Sequence, residues 1–178
     1  MKKIFVLSFL VLMSSSSSDM EDMNVDNKNA TSAPAEAFFN LAIKNMSDLQ
    51  SGITYGANGN PFNTTRILVQ QISSVTYNEG ATYYSNFDWE NVYTDVLINL
   101  KQSAEILEAS AAEGADPVLQ NKMAMTEIMT VYTYAKLVEA FGDIPYSEAL
   151  DIDNISPAFD DAQTVYFDLI SRLNAAIN

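Results

Sequence analysis

The 178-residue chain is predicted to be all-α, and three observations carry that prediction. Apolar residues recur at helical spacing over two long stretches, Trp89–Ala112 and Pro117–Phe141. Helix punctuation separates and closes them. Gly114-Ala115-Asp116-Pro117 forms a turn in which Asp116 can cap and Pro117 can start a helix, while Gly142 and Pro145 stop the second stretch. No run alternates apolar and polar residues as a half-buried strand must. The expected centre of the fold is an antiparallel hairpin of Trp89–Ala112 against Pro117–Phe141 with a short connection.

The elements follow in order. Lys2 and Lys3, the apolar Ile4–Met13 and the small Ser14–Ser18 read as an export signal over residues 1–18. That apolar run is too short to span a bilayer, and no later segment approaches the roughly 20 apolar residues a span requires. Residues 19–32 are acidic, polar and aperiodic and read as a flexible tether. The folded part is expected over residues 33–178. Thr31-Ser32-Ala33-Pro34 has the form of a helix start, with Ser32 as cap and Pro34 in the first turn. Phe38, Leu41, Ala42, Met46 and Leu49 give its apolar stripe.

Gly52, Gly56 and Gly59 mark a loop. Pro61 opens the next helix, with Ile67, Leu68, Gln71, Ile72 and Val75 on one side. Tyr77–Asp88 is a loop dense in Tyr, Asn and Gly. The helix Trp89–Ala112 buries Val92, Tyr93, Val96, Leu97, Leu100, Ala104 and Leu107. In Pro117–Phe141 the apolar Met125, Ile128, Met129, Val131, Tyr132, Ala135 and Val138 cover more than one face, which implies packing on two sides. Gly142 is expected in the left-handed conformation that ends a helix. Asp160-Asp161 reads as the cap of the last helix, where carboxylates favour the N-terminal dipole.

Composition narrows the function. Nine basic against 23 acidic residues give a formal net charge of −14, which repels phosphate backbones and anionic headgroups and so argues against nucleic-acid binding. The chain has no Cys and no His, which removes disulfides, thiolate nucleophiles, Cys/His zinc sites and histidine-based triads. Carboxylate pairs could serve glycoside hydrolysis, but no spacing singles out two of the 23. Asp151-Ile152-Asp153-Asn154-Ile155 fails as a calcium loop, because Ile155 occupies a ligand position and neither the Gly nor the distal Glu follows. No catalytic residue, metal or cofactor is therefore expected. The loop Tyr77–Trp89 is the candidate ligand surface. Aromatic faces stack on sugar rings and neighbouring amides bind hydroxyls, so Tyr77, Tyr83, Tyr84 and Asn86 suit a neutral polyhydroxylated ligand. Trp89 and Tyr93, at i and i+4 of a helix start, read instead as packing against the neighbouring hairpin.

A weak repeat runs through the chain. Val92-Tyr93-Thr94-Asp95-Val96-Leu97-Ile98-Asn99-Leu100 aligns with Val165-Tyr166-Phe167-Asp168-Leu169-Ile170-Ser171-Arg172-Leu173 at an offset of 73. The reading is two equivalent helices in successive hairpin units, set against chance convergence of amphipathic patterns. The second unit would stop at Ala175-Ala176-Ile177-Asn178, within or at the end of its first helix.

The segment Phe141-Gly142-Asp143-Ile144-Pro145-Tyr146-Ser147-Glu148-Ala149-Leu150 resembles the FGDIPY-type signature of the SusD/RagB family of outer-membrane nutrient-binding lipoproteins, through Phe141, Gly142, Asp143, Pro145 and Tyr146. Bottom-up, the same residues mark a hinge between two hairpins. The resemblance implies a SusD-like fold of tetratricopeptide-like helical hairpins with long loop insertions, consistent with an offset longer than the 34-residue tetratricopeptide unit. Family members run to several hundred residues, so the chain is expected to be an N-terminal fragment. The resemblance also implies capture of an oligosaccharide, or sometimes a peptide, on the outer face of the outer membrane, as a lid on a SusC-type TonB-dependent transporter. It implies a lipid anchor too; Ser14–Ser18 stand where the lipobox Cys belongs, so acylation would need that Cys restored, although Asp19, Glu21 and Asp22 match the acidic stretch that follows it. The rival readings are a helical-repeat scaffold for protein partners and an exported hydrolase.

Overall fold

The computed structural model describes residues 32–51, 89–114 and 116–177. These belong to one compact unit, Pro34–Asn178, apart from residues 32 and 33, which fall in the unit Met1–Ala33. The expected signal, the tether up to residue 31, the Pro61 helix and the aromatic loop 77–88 lie outside the described residues. The described residues form four α-helices, one π-helical turn and a two-residue ladder. The all-α expectation holds.

Helix α1 (Ala35–Ser51) begins after Pro34, whose carbonyl accepts from the Ala37 N–H at 3.0 Å, so the proline precedes the first turn instead of occupying it. Its buried stripe is Ala35, Ala42, Met46 and Leu49, with Phe39 packed alongside. Ala42, Met46 and Leu49 of the expected stripe face the core and Phe38 is half-buried, but Leu41 is a correction: it is 44% exposed, and Phe39 packs on the core.

The predicted helix Trp89–Ala112 resolves into a π turn, Val92–Leu97, running directly into α2 (Ile98–Glu113). Ile98 N–H donates to the Tyr93 carbonyl, five residues back. The Asp95 carbonyl takes side-chain amides from Asn45 at 2.8 Å and Asn99 at 2.9 Å, so a side chain of α1 ties into the widened turn. Apolar spacing cannot show such a turn, because the buried set (Val92, Val96, Leu97, Leu100, Leu107) still reads as one continuous stripe.

Helix α3 spans Pro117–Phe141, with the Asp116 carboxylate accepting from Leu119 N–H at 2.7 Å. Gly142 closes it by donating to the Val138 carbonyl at 2.9 Å. Its φ of 79° is positive as expected, but its ψ of −117° is not that of a left-handed helical residue. Glycine is needed there because the chain must leave the helix sharply towards β1 (Ile144–Pro145). The core-facing residues of α3 are Val131, Tyr134 and Leu137 together with two buried threonines, Thr126 and Thr133, whereas Met125 and Tyr132 face outward. Burial of the threonines is tolerated because each hydroxyl donates to the carbonyl four residues back, at 3.0 and 2.8 Å.

Strand β1 pairs antiparallel with β2 (Phe159–Asp160), Ile144 opposite Asp160 and Pro145 opposite Phe159. Two residues per strand are too few to show a period, so the sequence reading missed the ladder. Helix α4 (Ala162–Ile177) follows and packs on α3, so α3 is covered on one side by α2 and on the other by α4. One core joins Met46 and Leu49, the π turn and Leu100, Tyr134 and Leu137, Ile144, and Val165 and Leu169.

Candidate functional site

The segment after α3 is the most densely bonded part of the described chain. Tyr93 donates its hydroxyl to the Pro145 carbonyl at 2.6 Å, fastening the π turn to β1. The Asp143 carboxylate accepts from Ala162 N–H at 2.9 Å, and Asp161 accepts from both Thr164 N–H (2.9 Å) and its hydroxyl (2.8 Å). Two carboxylates thus cap α4 where its free N–H groups and dipole favour negative charge. Asp161 caps as expected; Asp160 does not. Asp160 turns back instead and accepts from the backbone N–H groups of Tyr146 (3.0 Å) and Ser147 (2.8 Å) and from the Ser147 hydroxyl. The Ser147 N–H above all, helped by the Ser147 hydroxyl and Tyr146 N–H, lowers the Asp160 pKa. The expected hinge is therefore a fastened joint, held from three directions.

Aromatic rings run through the joint. Trp89 lies 5.2 Å from Phe141, 5.3 Å from Phe159 and 6.3 Å from Tyr93, centre to centre; Tyr93 continues to Tyr134 at 6.3 Å and Tyr134 to Tyr146 at 4.8 Å. Edge-to-face contacts of this kind add to simple burial. Trp89 and Tyr93 therefore pack on the joint, as their spacing suggested.

Tyr146 carries the joint into a groove. Its hydroxyl donates to Asp168, and it accepts from Arg172 Nη1 at 2.7 Å. Arg172 forks onto Glu127 through Nε (2.6 Å) and Nη2 (2.9 Å), a bidentate pair that joins α4 to α3. Burial, then the Asp168 hydrogen bond, pushes the Tyr146 hydroxyl up to about 12, and burial raises Tyr93 and Tyr134 as well. All three hydroxyls stay protonated at neutral pH. They donate and accept hydrogen bonds and offer no base.

The groove lies over α3, between α2 and α4, in two adjoining volumes of about 520 and 390 Å³ that share Ala104, Glu108, Glu127 and Arg172. Its size suits a small ligand. Its larger volume is mostly apolar, lined by Ala104, Met123, Ala124, Ala175 and Ala176, with a few polar groups: Glu108 and Glu127 accept, and Arg172, although paired, has N–H donors to spare. Among the described residues no three carboxylates gather as a metal site would require, and no helix is long and apolar enough to cross a membrane.

Residues 27–178 match the profile of a SusD-like family described as starch-binding and associating with the outer membrane. The chain belongs to this SusD-like family. No curated protein matches it. The family's description is thus one of glycan binding in association with the outer membrane.

Within this SusD-like chain the five predicted motif residues, Phe141, Gly142, Asp143, Pro145 and Tyr146, come together as one structural joint. Tyr77, Tyr83, Tyr84 and Asn86 lie outside the described residues. Sequence reasoning missed Glu127, Asp168 and Arg172, and the inward role of Asp160. One signal was available: no Lys or Arg occurs between Lys136 and Arg172, so Arg172 is the sole cation its acidic neighbourhood can recruit from that part of the chain.

Proposed function

We propose that this SusD-like chain captures a neutral oligosaccharide at the outer face of the outer membrane and hands it to a SusC-type TonB-dependent transporter. The observation that carries this reading is the family match over residues 27–178. The chemistry supports it. A net charge of −14 disfavours anionic ligands, and the Tyr146 hydroxyl at the groove stays protonated and available for hydrogen bonding. Selectivity then comes from shape, stacking and hydrogen bonding. Tyr77, Tyr83, Tyr84 and Asn86 supply the ligand contacts on residue chemistry, with a peptide as the alternative cargo, and the chain is exported by residues 1–18. Anchoring by lipid would require a Cys in place of one of Ser14–Ser18.

Titration calorimetry with malto-oligosaccharides tests this directly. Saturable binding is expected without release of shorter sugars, and Tyr83→Ala with Tyr84→Ala should weaken it by about 1–3 kcal/mol, the range for burying or losing a large apolar contact. Absence of saturable glycan or peptide binding, with only soluble protein partners retained, would leave the scaffold reading in its place. Sugar release abolished by one Asp or Glu substitution would make the chain a hydrolase.

A further inference from the structure

The excursion between the two ladder strands contains the most exposed large apolar side chains among the described residues, Ile152 at 95% and Ile155 at 97%. A single exposed aliphatic residue needs no explanation. Two isoleucines, almost fully in water within one short loop, are different when the loop is held rigid by its own bonds. The Glu148 carboxylate accepts from Asn154 Nδ2 at 3.0 Å and from Ala158 N–H at 3.1 Å, closing the loop across its neck. Asp151 accepts from Asp153 N–H at 3.0 Å, and Asn154 N–H donates to the Asp151 carbonyl at 3.2 Å. At the base, Leu150 packs on the core, and its carbonyl accepts from Lys101 Nζ at 2.7 Å. Leu150 also has a φ of 64°, the one non-glycine residue with positive φ among the described residues. Such a conformation is costly for a β-carbon-bearing residue and persists where its surroundings enforce it.

The loop thus carries backbone strain and forgoes the burial of two large side chains, while its polar bonds involve neither isoleucine. Its own stretch of sequence has a single sign, and Lys101, from α2, is the cation bonded at its base. From residue 137 to residue 171 there is no Lys or Arg, and Glu139, Asp143, Glu148, Asp151, Asp153, Asp160, Asp161 and Asp168 all lie in that interval. An anionic lipid surface would be repelled by that charge. A protein surface with an apolar socket rimmed by Lys and Arg fits both properties. Ile152 and Ile155 would fill the socket, and Asp151 and Asp153 would face its rim.

We propose that the Leu150–Ala158 loop is a preformed docking knob for a protein partner with a basic-rimmed apolar socket, and that this partner is the transporter. The choice of partner rests on the function proposed above. The test uses the whole chain and a purified SusC-type TonB-dependent transporter in detergent, with binding followed by interferometry. Ile152→Asp with Ile155→Asp should weaken transporter binding by about tenfold or more, as for loss of central apolar anchors. Ile152→Val with Ile155→Val should retain it, and raised salt should slow association of the wild-type chain. Malto-oligosaccharide affinity and the thermal melt should be unchanged in both variants, because neither side chain is buried. Equal transporter binding by the wild-type and Asp variants overturns the knob and leaves the nutrient-binding reading intact. Failure of the wild-type chain to bind the transporter overturns the knob together with the transporter reading. Isoleucine-dependent binding to phosphatidylglycerol vesicles, with no protein component, also overturns it.

Discussion

Val92–Leu100 and Val165–Leu173 share Val, Tyr, Asp and Leu at the same positions, yet the structure treats them differently. Both bury the first valine and the fifth residue, Val96 or Leu169. Beyond that they part. Leu97 and Leu100 are fully buried, whereas Ile170 and Leu173 are 45% and 37% exposed. Tyr93 is half-buried and bonded to Pro145, whereas Tyr166 is 44% exposed. The first segment winds as a π turn with α1 and α3 against it; the second is a regular α-helix lying on α3. The apolar pattern states which residues can be buried. The neighbours decide which are.

The largest expected effect separates the two segments at their equivalent apolar positions. Leu97→Ala should cost about 2–5 kcal/mol, the range for a buried leucine that leaves a cavity. Ile170→Ala should cost about 1 kcal/mol or less, as for a partly exposed site. Urea unfolding of both variants decides, and equal losses would break the distinction. A smaller contrast concerns the two tyrosines. Tyr93→Phe removes the hydroxyl that reaches Pro145 and should cost about 1 kcal/mol, while Tyr166→Phe should change stability by less than about 0.5 kcal/mol. A Tyr166→Phe loss as large as that of Tyr93→Phe would show that the second segment is also bonded through its ring.

The smallest effect lies in β2, just ahead of the helix that carries the second segment, and depends on pH. Asp160 has its pKa lowered by Ser147 and Tyr146, so its contribution is fully present above the unfolded value, near 3.8. It is lost as pH falls through the lowered folded value. Asp161 and Glu36 shift in the same direction, through Thr164 and Lys122 respectively. Comparing urea midpoints at neutral pH and below pH 3.8 for wild type and Asp160→Asn isolates the Asp160 share. The difference between the two proteins should shrink on acidification; a constant gap would mean that the carboxylate's charge plays no part in the joint.

Much of this architecture was legible in the sequence, because its signals are local. Pro117, Asp116 and Gly142 bound α3 by chemistry that acts within a few residues, and those limits are met. The π turn was not legible, since apolar spacing does not register it and the side chain bonded into it, Asn45, stands fifty residues from Asp95. The inward role of Asp160 was hidden for a similar reason. Adjacent aspartates before a helix look alike in sequence, and only the ladder between β1 and β2 turns one of them toward Ser147. Arg172 was overlooked because its value comes from Glu127 and Tyr146, which stand on other elements.

The ladder has one more consequence. Ile144–Pro145 and Phe159–Asp160 clamp both ends of the excursion between them, and the first turn of α4 is secured separately by Asp143 and Asp161. The course of α4 is therefore set without help from the tip. Substitutions at the tip should therefore leave the helices beneath in their places, so a change of surface there need not cost the fold.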